Sequence, residues 1–304
     1  MDSLESLTRQ IAGAKDLNGI VRTMKAMAAA NIGQYEIAME SLGDYWTNVS
    51  LGLIAYLKHI NLESPIIKQS KNFKKEHKSI CAIVFGSDQG FVGQFNDSLS
   101  QYVEKSLSSH EGKIEIWTVG VRVPLLLADM GMTVTKEFNL PNSINAITAL
   151  IGSILIEVEK NRENGSVDEY YLFYNHLVKE GSYQQEKLRL FPLDAKWLQE
   201  KKQLKWPTKK QPQVIGDSSK LIHRLIREYL FVTLYKSCTE SLASENFSRL
   251  NAMQRAEKNI EELLDEIGHT YHRLRQSSID EELFDVISGF TALKKEKHNK
   301  KPLE

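Results

Sequence analysis

Apolar residues recur at alternating steps of three and four along the first sixty positions of the chain. A step near 3.5 is typical of the narrow seam of a coiled coil, whereas a helix on a globular core shows a broader apolar face. The pattern predicts one long helix, about 80 Å if unbroken at 1.5 Å per residue. The seam consists of Leu4, Leu7, Ile11, Ala14, Leu17, Val21, Met24, Ala28, Ile32, Tyr35, Met39, Leu42, Trp46, Val49, Leu53 and Tyr56.

Glycines at positions 13, 19, 33, 43 and 52 lie within this predicted helix. Each lowers the stability of an isolated helix by about 1 kcal/mol relative to alanine. We therefore expect that packing against a partner stabilises the helix.

The last quarter of the chain supplies a matching seam within a stretch that has helical character from about 221 to 290. If unbroken, that helix measures on the order of 100 Å. Two terminal helices with the same step predict an antiparallel pair, because a compact domain between them would return the chain to where it left. The second seam consists of Met253, Ala256, Ile260, Leu263, Ile267, Tyr271 and Leu274.

The middle of the chain alternates β-branched and aromatic runs with helical patterns. Strands are predicted at 79–87, 113–120, 132–138 and 169–178, and helices at about 94–108, 123–130 and 143–160. This order indicates a mostly parallel sheet covered by helices. The predicted fold class is α/β: an antiparallel coiled coil of long N- and C-terminal helices plus a central Rossmann-like α/β domain. Its predicted segments are 1–60, 75–200, 215–290 and a basic tail at 291–304, with a linker at 205–217.

Composition narrows the function classes. The chain has 39 basic and 39 acidic residues, so no overall field attracts nucleic acid, and the lysine-rich tail at 294–301 lacks interleaved aromatics. Cys81 and Cys238 share no metal or redox spacing, which favours two buried thiols in a reducing compartment. The longest uncharged runs, 45–57 and 146–156, fall short of the roughly 18 residues of a membrane span. Asp2 and Glu5 leave no room for a signal peptide, and we expect no direct membrane insertion.

Motifs that carry chemistry are weak. The segment 85–96 follows the first predicted strand, but its glycines have the spacing G-x3-G-x2-G, which matches neither dinucleotide nor P-loop fingerprints. A tight strand-to-helix turn is the favoured interpretation, and a nucleotide site is the alternative. His269 and His272 could reach one metal, although two exposed histidines on a polar helix face are the more usual explanation. We predict no catalytic residue, no cofactor and no metal.

Four blocks of the sequence resemble the gamma subunit of F-type ATP synthase. They are "IVRTMKAMAAANI" (20–32), "SDQGFVGQFN" (87–96), "ESLASENFSRLNAMQRAEKN" (240–259) and "YHRLRQSSIDEELFDVISG" (271–289). The resemblance spans nearly the whole chain in the family's order. Departures from the family pattern mark a divergent, bacterial-type member: Gly19 and Asn31 in place of lysines, Gln89 in place of an arginine, and Glu257 and Asp280 in place of threonines.

The resemblance implies a central rotor stalk that couples ion-driven rotation to ATP synthesis or hydrolysis in surrounding β subunits. Implied partners are the α and β subunits, the epsilon subunit and the ring of c subunits, on the cytoplasmic face of the bacterial plasma membrane. Catalysis would reside in the β subunits and not in this chain. The implied partner-binding residues are Arg275 and Gln276, a second region with Glu245 and Arg249, and Met24 at a position that must stay uncharged.

Two other functions compete with this interpretation. A flavodoxin-like enzyme that dimerises through long helices needs a phosphate loop, which the glycine spacing does not provide. A coiled-coil tether needs no sheet domain between its helices.

Overall fold

The computed structural model describes residues 3–59, 78–178, 182–193, 206, 208, 210 and 218–299. All four predicted strands and all five predicted helices are confirmed, whereas most of the predicted linker at 205–217 lies outside the described residues. The elements are α1 (Leu4–His59), β1 (Ile80–Phe85), α2 (Phe95–Leu107), β2 (Ile114–Val119), α3 (Arg122–Asp129), β3 (Val134–Phe138), α4 (Ile144–Glu163), β4 (Glu169–Val178), β5 (Ser182–Phe191) and α5 (Ser218–Asn299).

The five strands form one sheet in the order β3-β2-β1-β4-β5. The pairs β1–β2, β1–β4 and β2–β3 are parallel, as the alternation of strands and helices predicted. β4 and β5 pair in the antiparallel direction along nearly their whole length. The chain order changes direction between β1 and β4, which makes the gap between their carboxyl ends the switch point of the sheet.

The edge strand β5 was not predicted. Its sequence, "SYQQEKLRLF", alternates in burial, but most of its residues are polar, since one face and one edge meet solvent. The available sequence signals were the apolar residues Leu188 and Leu190 on either side of Arg189, and a glycine at position 181, a residue type that is common between paired strands.

Helices cover both faces of the sheet. On one face α2 and α3 bury an aliphatic cluster that includes Val84, Leu99 and Leu127. On the other face lie α4 and residues of the terminal helices, and Tyr170 and Trp117 belong to this larger cluster. Every residue of β1 is buried, as expected for a central parallel strand.

The structure divides into two compact units. One contains the described residues up to Ala26 and those from Met253 onward, and the other contains Met27–Ala252 with the sheet. In the sheet unit, Asn31 Nδ2 donates to Asn246 Oδ1 at 3.1 Å and Tyr45 Oη donates to Glu228 Oε2 at 2.5 Å. Residue numbers rise along α1 while they fall along α5, which confirms the antiparallel pairing.

α5 is helical over Ser218–Asn299, so it passes the predicted end at 290 and includes part of the predicted basic tail. No described proline interrupts it. The segment boundaries predicted from the sequence stay a prediction, because the two units share both long helices.

Gly86 ends β1 where the backbone passes close to α3. A Cβ atom at this position would lie 2.3 Å from Val123 Cγ2, and Val123 is fully buried. We expect Gly86→Ala to lower the free energy of unfolding by about 1–3 kcal/mol, because a packed core resists added volume. Urea unfolding followed by circular dichroism measures the change.

Gly152→Ala is the matched control. Nothing lies within 4 Å of its Cβ position in α4, so the change should stabilise the helix by up to about 1 kcal/mol. Equal destabilisation by the two variants would contradict the close approach at Gly86.

Candidate functional site

The terminal segments pack along the predicted seams. In the unit formed by the two chain ends, Leu7 and Val21 of α1 and Met253 and Ile260 of α5 are buried. Because these four side chains follow the 3–4 step, the narrow seam predicted from the sequence is confirmed there.

Two of the predicted seam positions are wrong. Leu17 is 50% exposed and Leu263 is 46% exposed, while the following residues, Asn18 and Leu264, are less exposed. With a repeat of 3.5 residues, the next seam residue can follow after three or after four positions. The sequence analysis placed Leu17 in the seam because it is apolar, whereas its neighbour Asn18 is polar. Asn18 Oδ1 is buried and has no hydrogen-bond partner among the described residues. A polar group in a seam favours one register at some loss of stability.

An ion network joins the two helices within this unit. Arg22 Nε lies 2.9 Å from Glu257 Oε1, Arg22 Nη2 lies 3.0 Å from Glu261 Oε1, and Lys25 Nζ also pairs with Glu257. The hydrogen bonds from Lys25 and Arg22 lower the pKa of the Glu257 carboxyl. Glu257 stands where the resembled family has a threonine. The substituted carboxylate therefore has its ionic partners, Arg22 and Lys25, within the same chain.

Arg275 and Gln276 lie on the exposed surface of α5. Among the described residues neither side chain has a hydrogen-bond or salt-bridge partner. Met24 is half-buried beside the ion network. Arg275 follows Glu257 by eighteen residues, which corresponds to roughly 27 Å along the helix axis. Arg275 and the network around Met24 are therefore separate surfaces of the same unit.

Beyond Leu274, α5 exposes a row of large apolar side chains, each between 51% and 71% exposed. They are Ile279, Leu283, Phe284, Val286, Ile287 and Phe290. Exposed apolar surface of this extent marks interaction sites more often than free surface.

In the sheet unit, α5 lies across the carboxyl ends of β1 and β4. Three buried serines donate hydrogen bonds to main-chain carbonyls there: Ser241 to Phe85 at 3.0 Å, Ser244 to Asn175 at 3.1 Å, and Ser248 to Val92 at 2.5 Å. Phe85 is the last residue of β1, and Asn175 belongs to β4.

These contacts occupy the switch point of the sheet, where open α/β proteins bind their ligands. The carbonyl groups that would face a ligand or water are bonded to a helix of the same chain. α5 therefore fills this part of the switch point.

The turn after β1 is tight, as predicted. Ser87 N donates to Asn96 Oδ1 at 3.1 Å, and Asn96 Nδ2 donates to Ser87 Oγ at 2.8 Å, which closes the turn onto the start of α2. Asp88 Oδ1 accepts a hydrogen bond from Val121 N at 3.1 Å. Phe91 has a φ of 60°, a left-handed conformation that a turn of this kind requires.

Glu245 and Arg249 form a buried ion pair beneath this turn. Arg249 Nη2 lies 2.7 Å from Glu245 Oε1, and the two side chains are 10% and 5% exposed. Burial raises the pKa of the Glu245 carboxyl, and Arg249 opposes this shift. The resemblance implied that both residues contact a partner subunit, whereas both side chains are buried within this chain. Their contact with a β subunit stays a prediction.

Sequence reasoning missed the serine attachment. Ser241, Ser244 and Ser248 recur at steps of three and four, which places them on one face of the helix. Small hydroxyl residues at that spacing on a long helix were the available signal. It has little weight alone, because exposed serines are common.

Other candidate chemistry is limited. Cys81 and Cys238 are free and buried, as predicted, and burial raises the pKa of both thiols. His269 and His272 are exposed, and within the described part of the chain no group of three or more His, Cys, Asp or Glu side chains could hold a metal ion.

Comparisons with known proteins agree with this architecture. The family profile described as ATP synthase matches residues 3–293. The ATP synthase gamma chain of Bdellovibrio bacteriovorus is 25% identical over 97% of this chain and 100% of its own length. The gamma chain of Glaesserella parasuis serovar 5 is 26% identical over 96% of this chain and 100% of its own length.

Solved rotor structures have the same fold. The chain resembles one from the Euglena gracilis mitochondrial ATP synthase rotor with a TM-score of 0.61 and 13% identity, covering 91% of this chain and 98% of that one. A second Euglena chain, from an assembly of OSCP, F1 and c-ring, gives a TM-score of 0.64 at 16% identity and covers 99% of this chain and 97% of that one.

The fold is thus an antiparallel pair of long terminal helices with an α/β domain that lies between them in the sequence. Because the profile spans nearly all of the sequence, the chain belongs to the ATP synthase family. The bacterial relatives named above are gamma chains of that enzyme. Among the described helices, none has a stretch apolar and long enough to span a bilayer.

The buried pair under the turn gives a stability test. Arg249→Met should lower the free energy of unfolding by about 3–5 kcal/mol, because Glu245 would remain buried without its counter-charge. Chemical unfolding of the full chain, followed by tryptophan fluorescence, measures the loss.

The double variant Glu245→Leu with Arg249→Met should recover most of this stability, because both charges are then removed from the interior. If the single variant is as stable as the original chain, Glu245 and Arg249 are not a buried pair.

Proposed function

We propose that this chain is the central rotor stalk, the gamma subunit, of an F-type ATP synthase. It couples ion-driven rotation of a membrane ring of c subunits to ATP synthesis or hydrolysis in the surrounding β subunits. The epsilon subunit and the α and β subunits are its further partners. The assembly lies on the cytoplasmic face of a bacterial plasma membrane, where the chain is a peripheral component.

One observation carries this proposal. The helix that forms half of the terminal pair is also hydrogen-bonded to the carboxyl edge of the sheet through Ser241 and Ser244, and to the turn after β1 through Ser248. A helix that served only to dimerise an enzyme would leave that edge open for a ligand. In a stalk, the same contacts give the domain a firm attachment to the helix that transmits torque.

The mechanism follows from asymmetry. The two helices of the pair differ in sequence, so their surface presents a different set of groups in each direction. Three chemically identical β subunits around such a stalk would have different conformational free energies. Rotation would then shift each subunit among its open and closed nucleotide states, since a ligand acts by binding those states unequally.

A non-catalytic role for this chain is supported by the filled switch point and by the absence of a phosphate-binding glycine pattern in the turn at 85–96. Catalysis then belongs to the β subunits.

Arg275 and Gln276 are the proposed contacts to a β subunit. Both are exposed and lack a partner among the described residues, and a guanidinium can hold a carboxylate through paired, charge-assisted hydrogen bonds. Met24 is proposed to keep its part of the stalk surface uncharged, because an added charge there could form an ion pair that resists rotation. Glu245 and Arg249 stay as proposed contacts that would require the buried pair to become accessible.

The double variant Arg275→Ala with Gln276→Ala should lower coupled ATP synthesis by the assembled enzyme by about tenfold or more. Hydrogen bonds to charged groups contribute about 1.5–3 kcal/mol each, and both residues lose theirs. Synthesis by energised membrane vesicles measures the effect, with the melting temperature of the purified chain as the test of folding.

The pair Gln254→Ala with Arg255→Ala is the matched control, because it removes the same two residue types from exposed positions of the same helix. Unchanged synthesis in the Arg275 and Gln276 variant, or an equal loss in the control, would remove these residues from the mechanism.

The purified chain alone should neither bind nor hydrolyse ATP. Equilibrium dialysis with labelled nucleotide and a phosphate-release assay test this directly. Turnover by the isolated chain that disappears in Gly90→Ala or Gly93→Ala would instead favour the enzyme alternative.

A further inference from the structure

The sheet unit has an apolar surface groove between α1, the start of α4 and α5. The groove is open to solvent and has a volume of about 440 Å³. Aromatic rings from α5 form one side, where Phe231 and Tyr235 lie with ring centroids 6.1 Å apart. The other principal lining residues are Ile37, Leu42, Tyr45 and Ile144.

The groove is preformed, and its apolar lining is open to solvent. Ile37 is 66% exposed and Tyr45 is 42% exposed, which is unusual for large side chains on a surface that already has a core beneath it. The hydrogen bond from Tyr45 Oη to Glu228 holds the tyrosine ring in place at the rim. A partner would therefore meet an ordered surface and lose little ordering entropy on binding.

A row of acidic residues runs along α1 and adjoins the groove at two of its members. Glu36, Glu40 and Asp44 are all exposed, at steps of four residues that place them side by side along the helix. Glu40 follows Ile37 by three residues and Asp44 follows Ser41 by three, so these two carboxylates adjoin the lining, whereas Glu36 lies about 100° further round the helix from Ile37. Within the described part of the chain, none of the three carboxylates has a hydrogen-bond or salt-bridge partner.

The charge along this part of α1 has one sign. From residue 27 to residue 57 the sequence contains these three acidic side chains and no lysine, arginine or histidine. The opposite wall begins at Ile144, the first residue of α4, and a helix N-terminus carries partial positive charge. The groove is therefore negative on one side only.

We propose that this groove binds an amphipathic helical segment of a partner protein that carries lysines or arginines along one flank. The lining on α1 extends from Gln34 to Tyr45, about 16 Å, which matches three turns of a helix. Apolar residues of the segment fill the groove beside Phe231 and Tyr235, and its basic flank lies over Glu40 and Asp44. This is the helix-in-groove mode of recognition with charge complementarity that sets orientation.

The first test uses the purified full chain and two fluorescent 18-residue peptides. Both have the same leucine stripe, and one has lysines on its flank where the other has glutamates. We expect the lysine peptide to bind at least tenfold more tightly in fluorescence anisotropy. Glu40→Lys should weaken its binding several-fold, while Glu104→Lys, an equal charge change at an exposed position of α2, should not. Equal binding of the two peptides, or equal effects of the two variants, overturns the proposal.

The second test identifies the natural occupant in the assembled enzyme, and only this test rests on the proposed function. A photo-crosslinking residue replaces Ser41, which lines the groove, and in a control it replaces Ser153, an exposed position of α4. We expect position 41, and not 153, to cross-link to a segment of another subunit with basic residues at three- and four-residue steps. No cross-link, one within the same chain, or one to an acidic segment contradicts the proposal.

Because the peptide test needs no other subunit, its failure counts against the groove alone. Failure of the proposed function would instead appear as an absence of the chain from any ATP synthase complex.

Discussion

The main-chain carbonyls at the carboxyl edge of the sheet are the constraint on which this structure depends. A buried carbonyl without a donor costs about 1–3 kcal/mol, so the edge must be covered by a ligand, by water or by the protein itself. Here Ser241, Ser244 and Ser248 of α5 supply the donors. The same contacts attach the long helix to the domain and fill the place where an α/β enzyme would bind its substrate. One set of hydrogen bonds thus both attaches the helix to the domain and covers this edge of the sheet.

The pairing of the two chain ends depends on limited apolar burial together with polar contacts between the helices. Their seam is narrow and contains Asn18, whose Oδ1 atom is buried, so apolar burial per residue is small compared with a globular core. Polar contacts between the two helices add specificity for their register. Glu257 of α5 forms salt bridges with Arg22 and Lys25 of α1. Surface ion pairs of this kind contribute little stability individually, but their geometry favours one register over its neighbours. A divergent member of the family can therefore retain the pairing while its individual contacts change.

Much of the fold was predictable because it depends on local periodicity. The terminal helices, four strands and three covering helices follow from repeats of 3.5, 2 and 3.6 residues. β5 was missed because an edge strand with a solvent-facing side needs few apolar residues. Leu17 and Leu263 were misplaced because a 3.5-residue step leaves the order of threes and fours open, and only the facing helix decides it. The resemblance implied that Glu245 and Arg249 contact a partner, and their burial as a pair could not be read from it, because a charge is buried only where a counter-charge offsets the cost of desolvation.

The sequence by itself determined the two long helices, their antiparallel direction, the parallel sheet and membership of the ATP synthase family. These properties follow from repeats and from motif blocks read in order along the chain. Only the tertiary structure decided which carbonyls the serines meet, that the turn after β1 covers Glu245 and Arg249, and that α4 and α5 form a groove beside Ile37 of α1. Each of these brings together segments far apart in the sequence, and a one-dimensional pattern contains no information about which segments meet across such separations.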